Sequence, residues 1–176
     1  DSVVAFDPDL KAIHQAKMNC QAASFLICAG ENLSFRNSSF DLVIFSFSLH
    51  HVPIPLMNQA LGEAARVLVP SGKIVIIEPL ERGSFAQAWN ILGSYEGQEQ
   101  QAAQKAIHRL EGWTVSDDVF FESVFELENA EELCERICGE GAEVPEELVD
   151  FLERHRNENK RIVLKSNRRL NVLKRK

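Results

Sequence analysis

The chain has 176 residues, 45% of them hydrophobic and 26% charged, with a formal net charge of −7. That composition is ordinary for one folded domain and excludes wholesale disorder, collagen and coiled coil. No run of about 18 apolar residues occurs, so no membrane-spanning helix is expected and a membrane is not among the expected partners. The first residue is Asp1 rather than Met, so a segment upstream is expected, and no basic, apolar signal segment is visible.

Charge is unevenly placed. From Arg154 onward there are ten Lys or Arg and one acid, a net of +9, against −16 for the first 153 residues. The acidic body argues against nucleic acid as a partner, because phosphate contacts need cationic surface. The basic end reads as a last strand carrying solvated Lys and Arg. Cys20, Cys28, Cys134 and Cys138 do not form a disulfide framework in a domain of this size. Free thiols point to the reducing cytoplasm, and the absence of CxxC or a nearby His argues against a metal at Cys134 and Cys138.

In chain order, Val3 to Phe6 is a short apolar run that stops at Asp7-Pro8-Asp9, as a strand buried on both faces does. Asp7 suits the cap and Pro8 the first position of a following helix, in which Leu10, Ile13 and Lys17 share a face. Ser24 to Cys28 is a second apolar run, completing a βαβ unit. A polar connection from Gly30 to Ser39 leads to Phe40-Asp41-Leu42-Val43-Ile44-Phe45, the strongest strand signal. Pro53 and Pro55 break the segment after it. Met57, Ala60, Leu61, Ala64 and Leu68 recur at helical spacing, Pro70-Ser71-Gly72 stops that helix, and Lys73 to Glu78 is the next strand. Two such units imply a parallel sheet with helices on its faces, and a ligand site beyond the carboxyl ends of the strands.

Further on, Phe85, Trp89 and Leu92 share one helical face, and Ala103, Ile107 and Leu110 another. Val119 to Leu127 reads as a strand, Ala130 to Cys138 and Pro145 to His155 as helices, and Ile162 to Leu164 and Leu170 to Leu173 as two short final strands. No repeat or internal linker divides the chain.

Three positions could carry chemistry. Asp7, where a buried strand meets a helix, can accept two hydrogen bonds from a ribose, or simply cap the helix. Ser46, Ser48, His50 and His51 follow the strand at Phe40, where a histidine could act as a general base; loop polarity is the plainer reading. Adjacent histidines are not a zinc motif without further ligands. Glu78 ends the next strand with the same ambiguity. No GxSxG, P-loop or HExxH is present, nor any Gly-rich strand-to-helix turn.

Four stretches in the right order and spacing, VVAFDPD, CAGENLSF, SSFDLVIFSFSLHHV and EAARVLVPSGKIVIIEP, resemble the class I S-adenosylmethionine-dependent methyltransferases, closest to the small-molecule, type 11 group. The resemblance covers about residues 3 to 80. It implies an α/β, Rossmann-like methyltransferase sheet, mostly parallel with helices on both faces, beginning at the family's second strand and so lacking the first strand and its GxGxG loop. It implies a single domain over 1–176, with a cofactor-side core to residue 80, a helical lid over 81–115 that chooses the substrate, and C-terminal strands and helices over 116–176.

The implied cofactor is S-adenosylmethionine. Asp7 matches the family's ribose-binding acid and Pro8 the residue beside the adenine, while Phe45 and Ser46 match the segment near the methyl donor. Ala29 stands where the family has the Asp that contacts the adenine amino group, leaving a backbone contact from Gly30; that loss would cost roughly 1–3 kcal/mol, about 10- to 100-fold in affinity. Arg66 to Gly72 matches the family's RVLxPGG, with Ser71 for the first Gly. The missing strand would leave inner edges at Val3 and Phe40, to be filled by an upstream segment or a partner chain such as a second copy, unless the sheet closes up.

The implied function is methyl transfer to a small-molecule substrate, with His50 or His51 as base. The contrasting readings are a scaffold that keeps the fold without catalysis and, more weakly, an RNA-modifying enzyme using the basic tail.

Overall fold

The computed structural model describes residues 2–93 and 96–176. Val3–Asp7 forms β1, Leu10–Asn19 α1 and Ala23–Ile27 β2; the two strands pair in parallel, with Asp7 opposite Ile27. The cap of α1 is Asp9 rather than Asp7: the Asp9 side chain accepts the Lys11 N–H at 2.8 Å. Asp7 instead accepts the Asp9 N–H at 2.7 Å, an Asx turn around Pro8 that delivers the chain to its true cap.

The second unit is Phe40–Ser46 (β3), Met57–Val67 (α2) and Leu68–Pro79 (β4). A short 3-10 turn, Ile54–Leu56, starts beside Pro53 and leads into α2. β4 begins before Lys73, because Leu68 already pairs with Phe40; Pro70 to Gly72 is absorbed as a register shift before Leu42 meets Lys73. Gly72 allows this, since a Cβ there would come within 2.9 Å of the Leu68 side chain.

Ser84–Ile91 (α3), Gly97–Arg109 (α4), Trp113–Leu127 (β5), Ala130–Cys138 (α5), Glu146–Glu153 (α6) and Ile162–Arg175 (β6) complete the chain. The two short final strands expected from the sequence are one continuous strand. β6 lies antiparallel between β4 and β5, giving the order β3-β4-β6-β5, while β1 and β2 form a separate pair. β1 and β3 each have one strand partner among the described residues, so one edge of each is unpaired.

The four-stranded sheet separates two cores. On one face Val43, Phe45, Ile74, Ile76 and Leu173 pack with α2 and α4. On the other, Leu127, Ile162 and Leu164 pack with α3, α5 and α6. The helices between residues 81 and 115 therefore part company, α3 joining one core and α4 the other. Among the described residues the two outer strands lie open on the second face: Leu42 and Ile44 of β3 and Val119 and Phe121 of β5 are between 41% and 55% exposed. No helix among the described residues is long and apolar enough to cross a membrane.

Two glycines separate strain from collision. Gly83 (φ +94°) and Gly139 (φ +98°) share a backbone region that only glycine occupies readily, but a Cβ at Gly83 would lie 2.4 Å from the Lys165 carbonyl oxygen, whereas nothing lies within 4 Å at Gly139. In urea titrations, Gly139→Ala is expected to lose about 1–3 kcal/mol, and Gly83→Ala more, because β6 must also move.

Candidate active site at the carboxyl ends of the strands

The carboxyl ends of β1 and β2 form one rim, and the segment after β2 carries the chain to β3. The Cys28 N–H donates to the Asp7 carbonyl at 3.2 Å, continuing the β1–β2 ladder. Gly30 packs beside β3: a Cβ there would sit 3.9 Å from a Phe45 ring carbon and from the Ala60 methyl. Asp7 is thus placed beside Cys28, and Gly30, two residues on, beside Phe45. Asp7 is half-buried, with one carboxylate oxygen held by the Asp9 N–H. Pro8 and Ser46 are exposed, and the Phe45 ring is core, 5% exposed, so that Phe45 offers the rim its backbone.

The loop from Leu33 to Asn37 is clamped onto α2. Arg66 donates to the carbonyls of Leu33 and Phe35, to Asn37 and to both Glu63 oxygens, while Glu63 accepts the Leu33 N–H at 3.0 Å. The Arg66 guanidinium holds the Glu63 carboxyl below its ordinary range, against a smaller opposing effect of burial. Sequence reading took Arg66 only as part of a helix-end motif; the signal available was a Glu-Arg pair three apart on one helical face.

A second cluster forms where β3 and β4 end. Glu78 is 1% exposed and His50 3%. One Glu78 oxygen accepts the Leu49 N–H at 3.0 Å and the other is bonded to His50 Nδ1. That bond fixes the His50 ring and turns Nε2 toward Glu96, 3.4 Å away. His51, 61% exposed, has its Nδ1 3.9 Å from the other Glu96 oxygen. The structure thus joins His50 to Glu78, both flagged in the sequence, and adds Glu96. Glu96 was missed because it precedes α4 in a Gln-rich stretch with no motif. The His50, His51 and Glu96 ligand atoms all lie within 4.8 Å of one another, close enough to hold a cation.

Burial acts to lower the His50 pKa, but the hydrogen bond to Glu78 and the charges of Glu78, Glu96 and Glu99 together outweigh it, and the value is raised. Ser48 is exposed beside the cluster. Two surface clefts of about 340 and 540 Å³ open elsewhere, one between α2 and α4 and one beside Gly83 and Lys165; neither is lined by Asp7 or His50.

Residues 1–76 match the family described as a methyltransferase domain. That match takes in 76 of the 176 residues, so the likeness to a methyltransferase domain belongs to the N-terminal part of the chain. An uncharacterized methyltransferase, sll0829 of Synechocystis sp., is 31% identical over 96 residues, 54% of this chain and 45% of that protein. The ubiquinone/menaquinone biosynthesis C-methyltransferase UbiE of Rickettsia prowazekii is 41% identical over 58 residues, 33% of this chain and 23% of that protein. The chain thus spans less than half the length of these curated relatives. Among solved structures, a Bacillus halodurans C-125 protein crystallised as a methyltransferase of unproven activity superposes with a TM-score of 0.64 at 17% identity, covering 98% of this chain and 82% of that one. This likeness shows the fold: the expected Rossmann-like α/β architecture is present.

A methyltransferase domain implies S-adenosylmethionine as its cofactor. The rim fits in part. Asp7 keeps one carboxylate oxygen that no hydrogen bond among the described residues claims, while Ala29 offers no polar side-chain atom.

The raised His50 pKa has a pH signature. A histidine whose folded pKa exceeds its unfolded value of about 6.5 contributes stability that is full below that pH and is lost as pH rises through the folded value. The urea midpoint is expected to fall over that range in the wild type. In Glu78→Gln, which lacks the principal charge holding the proton, the fall should flatten.

Proposed function

We propose that the protein transfers a methyl group from S-adenosylmethionine to a small-molecule acceptor, with the cofactor on the Asp7 rim and the acceptor beyond the end of β3. One observation carries this reading: Asp7 ends β1 without serving as the helix cap, which leaves its half-buried carboxylate available for a pair of ribose hydroxyls. Ala29 and Gly30 contribute backbone beside the adenine, Pro8 an apolar edge, and Phe45 and Ser46 backbone near the donor end. The cofactor supplies an activated methyl group on sulfonium, so the protein's task is chiefly to align the acceptor.

Of the two histidines, His51 is the one an acceptor can reach. His50 is enclosed between Glu78 and Glu96, whereas His51 is exposed and its Nε2 makes no hydrogen bond among the described residues. His51 takes the acceptor's proton; His50 positions Glu96 beside it. The position of α4, packed on α2, lets the start of that helix border the acceptor space.

Ala29 favours a second reading, a scaffold that keeps the fold and has lost the cofactor. Calorimetric titration of the full-length protein decides between them: heat of binding below millimolar cofactor supports the enzyme, and no heat at millimolar cofactor removes it. Asp7→Ala is expected to weaken binding about 10- to 100-fold, the worth of charge-assisted hydrogen bonds. With an acceptor identified from transfer of labelled methyl, His51→Ala should lower kcat about 100-fold or more and leave cofactor affinity unchanged.

A further inference from the structure

Arg168 is an anomaly among the cations. Arg66, Arg136, Arg156, Arg161 and Arg169 each meet a carboxylate. Arg168 is 8% exposed and meets none among the described residues. Its guanidinium lies 4.1 Å from the centre of the Phe47 ring and 5.4 Å from that of Phe125. Its Nε donates to the Ser123 hydroxyl at 2.9 Å, and no described acceptor meets its four terminal N–H groups. Burial alone acts on its pKa, pushing it down. Its terminal nitrogens are not among the enclosed unpartnered atoms, so a largely buried cation keeps open N–H groups with no counter-charge beside them, and buried charges are normally paired.

Its position gives the anomaly meaning. Arg168 stands opposite Pro79, at the carboxyl end of β4, and stacks on Phe47, the residue after β3. Phe47 itself is held at φ +52°, a left-handed conformation uncommon for a bulky side chain. On the far side, Phe125 stacks on Phe85 at 4.3 Å, and Phe85 lies 5.6 Å from Trp89. The Trp89 indole Nε1 is buried without a partner, a second donor lacking an acceptor beside the same rings. Cationic and neutral donors thus border a set of aromatic rings next to the strand ends, and no acid among the described residues answers them.

We propose that Arg168 receives the anionic oxygen group of a flat, apolar acceptor molecule, an aryl or polyenyl carboxylate or phenolate, whose apolar part lies along the Phe47 ring beside the guanidinium. The inference rests on the reading that the strand ends receive a methyl acceptor. The planar guanidinium fork matches two oxygens at once, and the Trp89 indole, two rings away, reports on the site. Aromatic surface supplies most of the contact and Arg168 the discrimination against neutral analogues, because a neutral ligand leaves the cation unpaired.

The test uses benzoate and its neutral isostere benzamide on the full-length protein without cofactor. Failure of methyl transfer therefore does not bear on it, nor does its failure bear on cofactor binding. Benzoate is expected to bind at least about 10-fold more tightly than benzamide, and to shift the Arg168 Nε–H and Trp89 indole resonances in 15N spectra. Those signals are assigned with Arg168→Lys and Trp89→Phe. Arg168→Met, which keeps bulk without charge, should lose benzoate about 10-fold or more and leave benzamide unchanged. Equal binding of the two ligands overturns the proposal, as does benzoate at millimolar concentration shifting neither signal. So does full benzoate affinity in Arg168→Met. If Arg168→Met does not fold, the wild-type spectra decide.

Discussion

The carboxylate of Glu78 ties the candidate site to the sheet. It ends β4 inside the first core, 1% exposed, and accepts from Leu49 and bonds to His50 on the segment that follows β3. A buried carboxylate is tolerable only when its oxygens are occupied, so this residue dictates where the loop after β3 must run. His50 is fixed by it, Glu96 faces His50, and His51 is left outside. The backbone bond from Phe47 N–H to the Ile77 carbonyl, 2.8 Å, extends the β3–β4 ladder by one residue and sets the ring on which Arg168 stacks. Both donor clusters at the strand ends therefore depend on how β4 terminates.

Much of the first half was legible because its strands read as unbroken apolar runs bounded by turn residues, although the burial on both faces expected of such runs is absent: Val3, Ile27, Leu42 and Ile44 are exposed. Fine placement was harder. Asp7 and Asp9 are chemically equal candidates for a cap, and only the Asx turn around Pro8 decides between them. β6 looked like two fragments because its middle carries Lys165, Asn167 and Arg169. Those residues share a face with Asn171 and Leu173, alternating with Leu164, Ser166 and Arg168 on the other. The period-2 pattern was present but masked by charge. For the same reason Arg168 read as a solvated tail residue, when it is buried among aromatic rings. Glu96 was illegible for a different reason: its role comes from the packing of α4 on α2, which no local pattern encodes.

The arrangement also shows how one sheet serves two faces unequally. The α2 and α4 side is closed, with Ile74 and Ile76 fully buried. The opposite side is closed only near Ile162 and Leu164, and apolar residues of β3 and β5 lie open beside it. Exposed apolar surface of this kind, together with unpaired edges on β1 and β3, is where contacts with further chain or with other molecules form most readily. The charged residues sit elsewhere, chiefly on the helices and in the sequence after Arg154.

The place of β6 bears on the order of assembly. β4 and β5 do not touch as strands; each is joined to the sheet through β6, and Ile74 finds its partner Leu173 about 100 residues further along the chain. During synthesis the two βαβ units can form early, since their contacts are local. Closure of the larger sheet must wait until β6 has emerged and slid between two strands already made. Until then β4 presents a bare margin to the cell, so the growing polypeptide passes through an interval in which an adhesive edge is open and a chaperone would find most to hold.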